Sequence, residues 1–299
     1  MKSLFASIDI GTNSAILLIA ENIDGMLHAV EQKIATPRLG RNLGITGLIS
    51  EESFAQLVLA LDEFLKAIAA RGAKLVGVAA TEAFRKAKNG MALLEKISLQ
   101  LDLPAEIISG EKEAALGLLA VSNRYPGKKI AVADIGGGST EFLGQSYPIG
   151  AVQLSEKKLS LEKMRENVRL TFAKAEENEI DNEENVKIQN NKTKENFDWV
   201  MVGGTASALA MLKLKLEEFN SEAMEGFSCT KQEVVDTIEF LFPLSLEKKL
   251  ALPGMDKGRA DILVPGFCIL EGLLEKVGAD SFIVSDRGLR YGLILDGIK

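Results

Sequence analysis

One pattern occurs twice in this sequence and restricts the fold more than any other feature. FASIDIGTNSA (residues 5–15) and IAVADIGGGST (residues 130–140) each run from an apolar, strand-like stretch into Asp-Ile-Gly, two small residues and a hydroxyl residue. A functional turn repeated in this way is far less expected by chance than either copy alone. Neither copy leads directly into a helical pattern. Both read as strand-turn-strand loops, unlike the strand-turn-helix of dinucleotide and Walker sites. No G-x-x-x-x-G-K-[ST] occurs anywhere in the chain.

The second copy carries its chemistry openly. Gly136, Gly137 and Gly138 let the backbone turn tightly and present N–H groups unobstructed. Ser139 and Thr140 add hydroxyls. Asp134 and Glu141 add carboxylates, hard oxygen ligands suited to Mg²⁺. Such a loop can hold a phosphate and a metal together. Taken alone it also fits a plain glycine-rich hairpin.

The rest of the composition narrows the function classes. The 299 residues leave room for one large or two medium domains, and 46% hydrophobic with 26% charged residues is ordinary for a globular chain. A net charge of −7 argues against nonspecific binding to nucleic acid or an anionic membrane. A phosphorylated ligand stays compatible if backbone N–H groups, local cations or a metal offset that field. No apolar run reaches the length of a membrane span, and Asp9 comes too early for a signal peptide. Cys229 and Cys268 have neither metal-like spacing nor a disulfide framework, so a reducing cytoplasm is expected. His28 is the single histidine, which excludes histidine-clustered zinc and leaves little for a Ser-His-Asp triad. Any hydrolysis here would have to run on carboxylates and metal.

Taken in order, Leu4–Ile10, Ala15–Ala20 and Leu27–Ile34 read as strands, with Gly25 turning a hairpin. Arg38 and Arg41 flank a glycine-containing loop, where a phosphate contact and an ordinary surface cation are equally good readings. Ser50 is a helix N-cap, Phe54, Leu57, Leu61, Phe64, Leu65 and Ile68 form its apolar stripe, and Gly72 ends it. Leu75–Ala79 is a buried strand that delivers Thr81–Arg85 to its C-terminal end, where Arg85 is a candidate anion clamp. Ser109 opens a helix with Glu113 in its first turn, after the short strand Ala105–Ile108. Residues 123–129 read as a turn between two halves. Residues 156–175 look helical, and Glu176–Lys194 reads as a solvated helix end and mobile loop. Trp199–Val202 leads through Gly203-Gly204-Thr205 into a helix, a turn that suits either phosphate approach to a helix N-terminus or plain strand-helix packing.

Together these motifs resemble the exopolyphosphatase / guanosine pentaphosphate phosphohydrolase (Ppx/GppA) family. The resemblance rests on Asp9–Ser14, Arg38-Leu39-Gly40, Thr81–Asn89, Ser109-Gly110 with Glu113-Ala114, Asp134–Glu141, Pro148–Val152, Gly203-Gly204-Thr205, Pro253-Gly254 with Arg259-Ala260-Asp261, and Ser285–Arg290. It implies an α/β fold of two ribonuclease-H-like domains of the actin, 70-kDa chaperone and sugar-kinase superfamily, flanking a cleft. The expected boundaries are 1–122 and 123–299, with the last helix free to pack back on the first domain. It also implies Glu113 as general base and Arg85 as the phosphate-binding arginine. Asp9, Asp134 and Glu141 become the carboxylates around Mg²⁺, with Mn²⁺ as the alternative metal. Gly11, Thr12, Asn13 and Ser14, then Gly136–Thr140, become the two phosphate loops, joined by Gly203, Gly204, Thr205 and Arg38. The implied substrates are inorganic polyphosphate and guanosine penta- or tetraphosphate, handled in the cytoplasm, with a homodimer as the family-based expectation.

Three positions depart from the family pattern. Ile16 stands where His or Arg is usual, Ala115 where an Arg often follows Glu-Ala, and Gln153 where an Arg often follows Gly-Ala-Val. The chain also has no C-terminal helical domain of the kind that forms a channel for long polyphosphate, so short chains are the expected substrate. Two other readings stay open on the sequence. One is a (p)ppGpp- or polyphosphate-binding sensor with little turnover. The other is an ATP-using kinase or ATPase of the same superfamily.

Overall fold

The computed structural model describes residues 3–177 and 197–299. The chain divides into two compact units, the first made of Met1–Pro126 with Arg287–Lys299 and the second of Gly127–Asp286. From residue 178 on, the polar stretch read above as a mobile loop lies outside the described residues.

The first unit is built on strands β1 (Leu4–Ile10), β2 (Ala15–Ile23), β3 (Met26–Ala35), β4 (Lys74–Ala80) and β5 (Glu106–Ile107), in the order β3-β2-β1-β4-β5. β1, β2 and β3 form an antiparallel meander, while β4 and β5 run parallel to β1. Helices cover both faces. The alternation along β2 assigns the sides: Leu17 and Ile19 pack with Leu57, Leu61 and Phe64 of the long helix Glu51–Arg71, whereas Leu18 and Ala20 pack with Tyr291 and Ile294 of the terminal helix Leu289–Gly297. Burial on both faces is why Ala15–Ala20 reads as one continuous apolar run. The long helix starts and stops where the sequence says. Ser50 accepts a hydrogen bond from the Ser53 N–H, and Gly72 closes the other end in the left-handed region at φ 60°.

The second unit repeats the plan. Its strands are β6 (Ile130–Ile135), β7 (Thr140–Phe142), β8 (Gln145–Tyr147), β9 (Asp198–Val202), β10 (Ser228–Thr230) and β11 (Ser281–Val284), in the order β10-β11-β9-β6-β7-β8. Read from β8, a meander is followed by two parallel strands, as in the first sheet, with β10 added at the edge. This ribonuclease-H-like order appears in both units, so the sequence repeat is also a repeat of topology. Leu263–Val277 is buried at every position from Leu263 to Leu274, the pattern of a helix surrounded by its own domain. The helix expected over 156–175 runs from Leu161 to Glu177, and a separate short helix, Ala151–Glu156, precedes it. The break falls at Lys158, which takes φ 48°, and Ser160, whose hydroxyl accepts from the Lys163 N–H at 3.4 Å. Among the described residues no helix is long and apolar enough to cross a membrane.

The terminal helix meets helix Gly110–Arg124 at a glycine. A Cβ at Gly292 would run into the Leu116 backbone, its carbonyl carbon 2.6 Å away. Gly292→Ala is therefore expected to cost about 1–3 kcal/mol through overpacking. Gly117→Ala faces open space and should instead gain up to about 1 kcal/mol from helix propensity. Urea midpoints of the two variants test this, and equal shifts would contradict the packing described.

Candidate active site

In each unit the site residues collect where parallel strands end, the usual binding edge of an α/β sheet. The two repeated turns share their closing hydrogen bond. Gly11 N–H donates to the Ser14 carbonyl at 2.9 Å, and Gly136 N–H donates to the Ser139 carbonyl at 3.0 Å. Each turn is then braced by the segment that returns after its meander. In the first unit Gly40 N–H donates to the Thr12 carbonyl at 2.8 Å and Arg38 N–H to the Asn13 carbonyl at 3.0 Å. In the second, Ala151 and Val152 N–H groups donate to the Gly136 and Gly137 carbonyls, both at 2.9 Å. Gly40 and Gly150 are the contact points, where a Cβ would strike Thr12 and the Gly137–Gly138 peptide respectively. Arg38 takes a left-handed φ of 54°, a strained choice for arginine that the bracing holds in place.

Strand register decides what faces each aspartate. Asp134 lies opposite Glu141 across β6 and β7, while Asp9 lies opposite Ile16 across β1 and β2. Cross-strand partners share a face, so the second unit sets two carboxylates side by side and the first sets one beside an isoleucine. Glu141 is buried and accepts from the Ser146 hydroxyl at 2.8 Å. Two like charges directly opposite are unfavourable unless a cation offsets them. Among the described residues no group of three or more His, Cys, Asp and Glu is placed to hold a metal.

Next to Asp134 is the glycine turn that starts helix Gly203–Leu214. Gly203 has φ 82°, and a Cβ there would strike the Asp134 carboxylate. A Cβ at Gly204 would press on the Arg259 guanidinium, with Nη2 at 2.6 Å. Arg259 is tied to Asp256 at 2.7 Å. The sequence reading placed Arg259 among the family motifs and assigned it no role; the paired glycines are the signal that something comes close there. Two hydroxyls expected to meet phosphate are engaged within the fold. Thr140 donates to the Ile149 carbonyl at 2.7 Å, and Thr205 to the Ile135 carbonyl at 3.0 Å. Ser139 is buried in the turn, as are Thr12, Asn13 and Ser14 in the other.

In the first unit the structure brings Arg85 and Glu113 together. Thr81 N–H donates to the Ile10 carbonyl and Ile108 N–H to the Ala80 carbonyl, both at 3.1 Å, which lines up the ends of β1, β4 and β5. Arg85 follows on the short helix Glu82–Lys86, and Glu113 on the helix that Ser109 caps. Arg85 Nη1 donates to Glu113 Oε2 at 2.9 Å and to the Ile108 carbonyl at 2.7 Å. Burial alone would pull the guanidinium down, but the Glu113 and Glu82 carboxylates hold it above its ordinary value. Glu111, one turn position earlier than Glu113's neighbour Lys112, is held below the usual carboxylate range chiefly by the Ser109 hydroxyl. Burial pushes the Cys229 and Cys268 thiols up to about 12, so neither is a nucleophile at neutral pH.

A profile of the Ppx/GppA phosphatase family matches residues 18–299. The chain belongs to the Ppx/GppA phosphatase family. Among its relatives is a bifunctional 3-dehydroquinate synthase/phosphatase of Fusobacterium nucleatum, 31% identical across 99% of this chain. The chain spans 47% of that relative, about half its length. Exopolyphosphatase 2 of Mycobacterium tuberculosis is 29% identical, with 97% of each chain covered. The crystal structure of the Aquifex aeolicus Ppx/GppA family member superposes with a TM-score of 0.78 at 27% identity, covering 100% of this chain and 98% of that one.

Gly150→Ala tests the brace on the second turn. The added methyl has to displace the Gly137–Gly138 peptide, so the variant should lose about 1–3 kcal/mol of stability in urea unfolding, and an unchanged midpoint would contradict the contact.

Proposed function

We propose that the protein is a metal-assisted phosphoanhydride hydrolase that releases terminal orthophosphate from inorganic polyphosphate. The 5′-γ-phosphate of pppGpp offers the same bond and is the second substrate. The observation that carries this reading is the contact of Arg85 with Glu113 at 2.9 Å at the strand ends of the first unit. It pairs a carboxylate able to take a proton with a guanidinium able to hold a phosphoryl oxygen, in a chain of the Ppx/GppA family.

The roles follow from the chemistry of the groups. Glu113 orients a water molecule and takes its proton as the water attacks the terminal phosphorus. Arg85 binds the equatorial oxygens of that phosphoryl group and offsets the charge that develops on them. In each unit a turn, Thr12–Ser14 in the first and Gly137–Ser139 in the second, supplies backbone N–H groups to phosphate oxygens, with Arg38 beside the first turn and the Gly203–Thr205 helix start beside the second. A divalent cation, Mg²⁺ or Mn²⁺, supplies charge neutralisation for the polyanion and its leaving phosphate when bound. In the second unit Asp134 and Glu141 stand opposite one another, two oxygen donors of the kind such an ion takes. Mg²⁺ commonly takes only one or two carboxylates and completes its shell with water and substrate phosphate.

The same Arg85–Glu113 contact supports a second reading, a polyphosphate- or (p)ppGpp-binding sensor, because a carboxylate held by a guanidinium is a weaker base. Phosphate release from tripolyphosphate, pppGpp and ATP separates the two. The hydrolase reading expects turnover that EDTA abolishes and that Glu113→Gln lowers by roughly 10²–10⁴-fold. Tight binding without turnover would favour the sensor. A Glu113→Gln variant as active as the wild type would remove Glu113 from the mechanism.

A further inference from the structure

The N–H donors of Arg85 are divided unevenly. Nη1 spends itself on the Ile108 carbonyl at 2.7 Å and on Glu113 Oε2 at 2.9 Å. Nε donates to Glu82 Oε2 at 3.0 Å. Nη2 is buried and lies 3.0 Å from the same Glu82 oxygen, but outside hydrogen-bond geometry, and it has no hydrogen-bond partner among the described residues. Glu82 itself is buried, and its other oxygen pairs with Lys86 Nζ at 2.5 Å. Glu82 is thus held between two cations of its own helix, at i+3 and i+4. A guanidinium commonly meets a carboxylate through two parallel N–H bonds. Arg85 meets Glu113 through Nη1 alone, with its Nε–Nη2 edge turned to Glu82.

We propose that Glu82 is a positioning residue: by holding the Nε–Nη2 edge of Arg85, it keeps Arg85 from closing a two-nitrogen fork on Glu113. The inference rests on the proposed function, in which Glu113 takes the proton and Arg85 meets the phosphoryl group. A closed fork would bind Glu113 more tightly as an ion pair and weaken it as a base. Glu82 therefore acts on Glu113 through the guanidinium and needs no contact with substrate.

Tripolyphosphate hydrolysis with Mg²⁺ tests this as a cycle, with kcat and KM measured for the wild type, Glu82→Ala, Arg85→Lys and the double variant. Lysine has no fork to close. Glu82→Ala should lower kcat about tenfold in the wild-type background, the size of one charged hydrogen bond. In the Arg85→Lys background the same substitution should change kcat by less than about twofold. Glu82→Gln keeps the side chain's shape and an acceptor oxygen for Nε, and should recover kcat to within about threefold of wild type. It also carries the cycle if a thermal melt shows that Glu82→Ala does not fold. Equal losses in both backgrounds, or no loss in the wild-type background, would overturn the inference. Absence of wild-type turnover, or a fully active Glu113→Gln, would overturn the proposed function and this inference with it. An inactive Glu113→Gln beside a fully active Glu82→Ala would overturn the inference alone.

Discussion

The hydrogen bond that closes the turn after the first strand of each sheet is the constraint on which the rest depends. Gly11 N–H to the Ser14 carbonyl, and Gly136 N–H to the Ser139 carbonyl, set where the second strand begins. That start fixes the antiparallel register, and the register sets Glu141 opposite Asp134 and Ile16 opposite Asp9. A shift of one residue would turn each of these side chains to the other face. One backbone bond, made twice, therefore places the paired carboxylates of the second unit. It also accounts for the asymmetry between the units, because the same geometry carries Glu in one copy and Ile in the other.

The Arg85 cluster shows how charge is kept inside the first unit. Glu82 and Glu113 are mostly buried, and either alone would be costly there. Arg85 serves both, while Lys86 takes the remaining oxygen of Glu82. Such networks add little net stability, yet they are strongly disrupted when one member is removed, since a buried charge then loses its partner. Their value lies in geometry. A guanidinium gripped by three acceptor groups has one orientation, and that orientation leaves Nη2 without a hydrogen-bond partner among the described residues.

Much of this was legible in the sequence because it is local. The two turns, the Ser50 and Gly72 ends of the long helix, and the doubly buried β2 all follow from patterns a few residues long. The α/β class and the two-domain plan came with the resemblance to the Ppx/GppA family, and the duplicated motif agrees with the repeated topology. What escaped was mostly non-local. Arg85 and Glu113 are 28 positions apart, and nothing in either segment announces that they touch. Arg259 reaches Gly204 from a distant loop. Some local signals went unread. Ser160 marks where the helix expected from 156 begins, and Thr230 with Glu233 forms a capping box for helix Lys231–Leu241. Glu82 was overlooked because a glutamate in a helix's first turn has an ordinary explanation in the helix dipole. Its role depends on which edge of Arg85 it holds, and only the folded chain specifies that.

The proposed reaction turns on one chemical event, attack of water on a terminal phosphorus. Hydrolysis of tripolyphosphate in ¹⁸O-labelled water follows it directly, with the products analysed by mass spectrometry. Attack at the terminal phosphorus puts one solvent oxygen in the released orthophosphate and none in the remaining pyrophosphate. Label in the pyrophosphate would place the attack on an internal phosphorus and contradict it.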